Sequence, residues 1–167
     1  MRIAGLLAML MLLTSCATHA DTPADYPEAR MYESNSNAAA ALAQASVRAR
    51  ENKQLVLAVF GANWCHDSRA MAGWLESEGF SSVRDEYRVV YIDSGTPQTG
   101  EGRNLKLAAR YGVTDITGTP TVLVIDPLKD AALNATTART WRNAASRDGD
   151  AIRDALMRFV MLPDTVP

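Results

Sequence analysis

The sequence predicts an α/β fold, strands buried in a central sheet with helices packed against them, and three observations predict it. Leu55 to Phe60, Arg88 to Asp93 and Thr121 to Ile125 are short, mainly apolar runs, the pattern of strands covered on both faces. Around them stand stretches with apolar residues at helical spacing, led by Ala38, Ala41, Leu42, Ala45 and Ala49 and, near the end, by Ile152, Ala155, Leu156, Phe159 and Val160. With 167 residues and 47% hydrophobic content, the chain has enough apolar material to bury one domain core.

Taken in order, Asn37 caps a first helix that ends near Asn52, because its side-chain oxygen can accept from the open N–H groups of the first turn. The strand Leu55 to Phe60 follows. A second helical pattern starts near Ser68, carries Met71, Trp74 and Leu75 on one side and stops at Gly79; Trp74 is read as core because it shares a face with Met71. After the strand Arg88 to Asp93, the stretch Ser94 to Gly102, with three glycines and a proline, reads as a loop. Asn104 caps a short helix through Tyr111, and Gly112 closes it. The third strand ends at Asp126-Pro127. Between Leu128 and Asn143 no clean period appears, and Arg139 to Trp141 is read as the last strand, with Trp141 either there or on the surface. Asp148 or Asp150 begins the final helix, which ends before Pro163.

The chemistry sits at Phe60 to Met71, where a strand gives way to a helix and a lone cysteine, Cys65, stands at the junction. Open backbone N–H groups and the dipole of the following helix favour negative charge there, so a thiolate is stabilised. Trp64, just before it, is placed to shield the sulfur on one side and leave the other open.

Trp64-Cys65-His66-Asp67-Ser68 resembles the W-C-x-x-C site of the thioredoxin superfamily, with Ser68 where the second cysteine stands, and Gly118-Thr119-Pro120-Thr121 resembles that fold's cis-proline loop. Two such motifs about fifty residues apart, each at the family's place in the element order, are more specific than a W-C pair alone. The resemblance covers roughly residues 38 to 162. It implies a thioredoxin-like three-layer sandwich with a central mixed sheet, and no cofactor. It also implies that Cys65, Ser68 and Pro120 form the catalytic set, with Trp64, His66 and Thr119 binding substrate. A cis Thr119–Pro120 bond would turn the preceding backbone edge toward the sulfur, where an extended segment can pair.

Two departures from the family pattern agree with each other. Ser68 can donate a hydrogen bond to the sulfur anion but cannot form a disulfide. The buried acid that related reductases carry six residues before the nucleophile falls on Val59, and without a resolving thiol it has no proton to take. What is left is monothiol chemistry: attack on a disulfide, a sulfenic acid or a glutathione adduct, resolved by an outside thiol. Asp67 reads as a helix cap, and His66 as either a thiolate partner or a solvated side chain. Arg69 either steadies an anionic substrate or is solvated. Consecutive Cys65, His66 and Asp67 seldom converge on one ion, so no metal site is expected.

The beginning of the chain reads as an export signal. Arg2, the apolar run Ile3 to Leu13 and then Leu13-Thr14-Ser15-Cys16 follow one another, the last resembling the bacterial lipobox. This implies cleavage before Cys16, a lipid on its sulfur, and Cys65 as the single thiol left of the two cysteines; the alternative is an ordinary secretory signal cut near Ala20. Ala17 after the lipidated position favours the outer membrane under the family's sorting rule. The domain plan is therefore a signal at 1–15, a lipidated tether at 16–37 and the thioredoxin-like domain at 38–167. The alternative for the tether is that Tyr26, Met31 and Tyr32 pack on the domain as an arm. A net charge of -2 and a pI near 5.7 make no electrostatic case for nucleic acid. Partners expected are exported-protein thiols or disulfides, or small thiols; whether two chains pair through Cys65 stays open. Two functions remain at this point: a membrane-tethered monothiol oxidoreductase, and a non-catalytic binding or adaptor module that keeps the groove and the proline loop.

Overall fold

The structure, a computed structural model, describes residues 26–161. The signal and lipobox, Cys16, the tether up to residue 25 and Pro163 lie outside the described residues. Among the described residues no helix is long and apolar enough to cross a membrane.

Each long strand forms where an apolar run meets its partners. β1 (Leu55–Gly61) is the centre: it pairs in parallel with β2 (Tyr87–Asp93), Leu55 opposite Tyr87, and antiparallel with β5 (Thr121–Asp126), Phe60 opposite Thr121. A two-residue strand, β6 (Ala131–Ala132), completes the mixed sheet in the order β2-β1-β5-β6. Alternation along the strands sends side chains to both faces. Leu57, Val59, Val122 and Val124 meet α2 (His66–Glu76) and α5 (Gly149–Met161) on one side; Val56, Ala58, Phe60, Leu123 and Ile125 meet α1 (Ala38–Asn52) and α4 (Leu105–Arg110) on the other. The result is the expected three-layer α/β sandwich with a thioredoxin-like element order.

Asn37 does cap α1, accepting from Ala40 N–H at 3.1 Å, and Asp148 Oδ1 accepts from Asp150 and Ala151 N–H at the start of α5. Asn104 starts α4 differently. It takes a left-handed conformation, makes no side-chain cap, and instead donates from Nδ2 to Asp93 O at 2.9 Å, tying the helix to the end of β2.

Several elements depart from expectation. α2 stops at Glu76 rather than Gly79, and a 3₁₀ turn at Glu78–Phe80 leads into α3 (Ser81–Glu86), whose six residues are too short to show a period. Within the expected loop, β3 (Gly95–Thr96) and β4 (Glu101–Gly102) pair as a small hairpin. Arg139 to Trp141 is not a strand: Ala138–Trp141 is a 3₁₀ turn, with Trp141 buried. The place beside β5 is taken instead by β6 and by Asn134, which donates from Nδ2 to Val122 O at 2.9 Å and accepts at Oδ1 from Val124 N–H at 2.8 Å. One amide side chain so imitates a strand edge. Trp74 is only partly buried, its ring 5.9 Å from that of Phe80.

The largest correction concerns the tether. From Tyr26 onward the chain lies on the domain, which is the arm alternative, because it carries groups that α2 and the β1–α2 turn can bind. Ala29 N–H donates to Arg69 O at 3.0 Å. Glu28 takes a two-point ion pair from Arg69, with contacts of 2.9 and 3.1 Å. Tyr32 is 2% exposed and joins the core. Gly73 on α2 makes the approach possible, since a Cβ there would stand 2.2 Å from Pro27 O. Met31 stays exposed.

Candidate functional site

The end of β1 delivers the site. Cys65 is the residue before the first turn of α2 and adopts an extended conformation; its carbonyl accepts from Arg69 N–H and its side chain makes no cap. The Thr119–Pro120 bond is cis. Cys65 Sγ donates to Thr119 O at 3.4 Å, so the fold brings the sulfur and the proline loop together although 54 residues separate the two partners.

Cys65 is more enclosed than expected, at 9% exposure. Trp64 does not cover it in isolation: 51% exposed, the indole leans on the β3–β4 hairpin and donates from Nε1 to Gly95 O at 3.1 Å. On the inner side stands Tyr32, which sequence reasoning placed only in a possible arm. Its hydroxyl donates to Ser68 O at 3.0 Å. Burial, and after it the nearby Cys65 sulfur, push the Tyr32 phenol far above its ordinary range, so it stays a proton donor. Its backbone and the Asn63 amide bond reciprocally, Tyr32 N–H to Oδ1 at 3.2 Å and Nδ2 to Tyr32 O at 2.8 Å. The turn before Cys65 is thereby fixed from the arm. No signal short of the structure identifies Tyr32, because the segment around it has no period.

The remaining predicted residues fall as follows. Ser68 is fully buried one helical turn after Cys65, yet its hydroxyl has no hydrogen-bond partner, so the expected bond to the sulfur is not made with the thiol protonated. A hydroxyl buried in this way costs about 1–3 kcal/mol. The Thr119 hydroxyl is likewise buried without a partner. His66 is 64% exposed, with Nε2 3.3 Å from Asp67 Oδ2. Asp67 is not the cap; its Oδ1 accepts from Ala145 N–H at 2.9 Å, which locks α2 to the turn at Ala144–Ser146. Arg69, read as a substrate contact or a solvated side chain, is only partly exposed and is engaged within the fold. Besides pairing with Glu28 it donates to Asn63 O at 3.1 Å and Trp64 O at 3.2 Å, pinning arm and turn together. That pairing holds the Glu28 carboxyl below its ordinary range. Val59 is buried in the sheet, as an apolar residue at that place should be. Among the described residues no group of three or more His, Cys, Asp or Glu side chains is placed to hold a metal ion.

Chemically, the arrangement offers one sulfur beside a peptide carbonyl at the head of a helix, with a cis-proline loop against it and one thiol among the described residues. The sequence model of a family described as thioredoxin-like matches residues 37–127. The crystal structure of a disulphide isomerase from Xylella fastidiosa Temecula1 superimposes with a TM-score of 0.69 and 26% identity, covering 79% of this chain and 98% of that one. Comparison with proteins of curated function finds no match.

Proposed function

The chain belongs to the thioredoxin-like family, and from that premise we propose that it is a membrane-tethered monothiol thiol-disulfide oxidoreductase of the bacterial envelope. The observation that carries the proposal is the 3.4 Å contact between Cys65 Sγ and the carbonyl that precedes cis-Pro120. A substrate disulfide entering along that loop meets the sulfur directly.

In the proposed reaction Cys65 gives up its proton to solvent and the thiolate attacks one sulfur of the substrate. A Cys65–substrate disulfide forms, the original S–S bond breaks, and the departing sulfur leaves as a thiolate that takes up a proton. Cys65 is oxidised to the disulfide level and the leaving sulfur is reduced. With Ser68 in the resolving place, a second thiol from outside attacks the mixed disulfide and frees Cys65. The orphaned Ser68 hydroxyl fits this cycle, since an anion one turn away gives it an acceptor. The likeness to a protein described as a disulphide isomerase supports the same class of chemistry.

Tethering rests on Leu13-Thr14-Ser15-Cys16, and with it the outer-membrane location facing the periplasm and the exported proteins or small thiols as substrates. The second reading, a non-catalytic binding module, draws on the near burial of Cys65, whose thiol donates to a carbonyl.

Two-substrate kinetics distinguish them. Reduction of a peptide disulfide should require a small thiol, with a rate that depends on both reactants in the parallel-line pattern of a covalent intermediate. A rate equal to the protein-free reaction at every thiol concentration supports the binding module instead.

A further inference from the structure

Beside the proline loop stands a cation with no acidic partner among the described residues. Arg142 follows the 3₁₀ turn at Ala138–Trp141 and is exposed. Its side chain lies in the space that any Cβ at position 118 would need: Cδ is 2.6 Å and Nη1 3.1 Å from where that atom would be, so Gly118 makes the seat. Nη1 also donates to Thr117 Oγ1 at 3.3 Å. The guanidinium is thus laid across Thr117 and Gly118, and the next carbonyl along, that of Thr119, is the one bonded to Cys65.

Three other arginines near the site are paired with acids, while Arg30, on the arm side, donates to Asn63 O. Arg69 pairs with Glu28, Arg103 with Asp93, and Arg139 with Asp115. Arg142 has no carboxylate among the described residues. Nor does Arg147, whose guanidinium stacks on the Trp141 ring at 5.0 Å. The acid on this side of the cysteine, Asp67, is taken up by Ala145 N–H and His66. A positive charge therefore stands beside the proline loop, on a planar donor suited to a carboxylate.

We infer that Arg142 is a specificity-determining residue that selects disulfides bearing a carboxylate close to the reacting sulfur. The inference rests on the thiol chemistry proposed above. Docking of the carboxylate on the guanidinium aligns the disulfide with Cys65; the exchange itself is unchanged, one S–S bond formed and one broken, with the leaving thiol carrying away the substrate's other half.

The test uses two small disulfides of similar size, dithiodipropionate and cystamine, and two peptide disulfides that differ only by Glu or Lys beside the cysteine. In low salt the anionic member of a pair should gain about three- to tenfold in rate over the cationic one, the range expected when one exposed charge pair turns from repulsive to attractive. The gain should shrink as salt is added. Arg142→Gln should remove it and Arg142→Glu should reverse it. A gain in the small pair assigns a free carboxylic thiol as substrate, and a gain in the peptide pair alone assigns an acidic polypeptide segment. Either outcome supports the inference. If the ratios are the same in Arg142→Gln as in the unaltered protein, and insensitive to salt, the inference is overturned while the oxidoreductase reading stands. If no disulfide reacts with the unaltered protein, both fall. Should Arg142→Gln fail to fold, the salt dependence of the unaltered protein decides.

Discussion

Cys65→Ser is expected to bring disulfide exchange down to the protein-free rate while leaving the fold in place. The serine hydroxyl is a weak nucleophile without a base to activate it, and the described residues hold no other thiol to take over. The structural cost should be small, within about 1 kcal/mol, because the replaced atom is similar in size and the hydroxyl can still donate to Thr119 O. Loss of rate with an unchanged melting curve separates a chemical role from a packing role. A variant that keeps its rate would place the chemistry elsewhere, and a variant that unfolds would make Cys65 a core residue first.

The second large effect lies in the arm. Tyr32→Ala is expected to cost about 3–5 kcal/mol in urea unfolding, the range for removing a buried aromatic ring. The ring is 2% exposed and meets Tyr91 edge-on, with centroids 5.6 Å apart and planes at 82°. Its hydroxyl holds Ser68 O. Tyr32→Phe, which removes only that hydroxyl, should cost about 1 kcal/mol. Exchange rate should fall in both variants, more in the first, because the Asn63 to Cys65 turn hangs on the arm through Asn63 and Arg69. A cost below about 1 kcal/mol for the alanine variant would show the arm to be a loosely laid tether. The Glu28–Arg69 pair adds a pH dependence to the same docking. Because the folded-state Glu28 carboxyl titrates below its ordinary range, its contribution is complete above that ordinary range and is lost as pH falls through the lower, folded value. Arm docking, followed by limited proteolysis near Glu28, should therefore weaken in acid, and Glu28→Gln should remove that dependence.

How legible these features are in the sequence follows from what makes each of them. β1 and β5 are readable because a strand buried on both faces must be mainly apolar, β2, at the sheet edge, because an apolar run survives between Arg88 and Asp93, and α1 and α5 because one stripe of each meets the sheet. Cys65 and Pro120 stand out by residue type and spacing, and the fold brings them together. Local pattern fails where side chains act in place of periodic backbone. Asn134 stands in for a strand partner, and Trp141 is buried from a 3₁₀ turn, so residues 128–147 carry no period to read. The arm is held by Tyr32, Glu28 and the gap at Gly73, contacts made over more than thirty residues of separation. For the same reason Arg69 and Asp67 look like substrate or cap residues in sequence. Their partners, Glu28 and Ala145, are far along the chain. That Arg142 faces the proline loop without an acid shows only in the structure, through its seat over Gly118.

On the proposed chemistry, Cys65, though nearly enclosed, is open to attack from the side of the proline loop. Intact-protein mass after mixing with excess aromatic disulfide, followed by peptide mapping, tests it most directly. One added group per folded chain is expected, located on Cys65 and removed by a small thiol. A folded protein that stays unmodified until denaturant is added would contradict it.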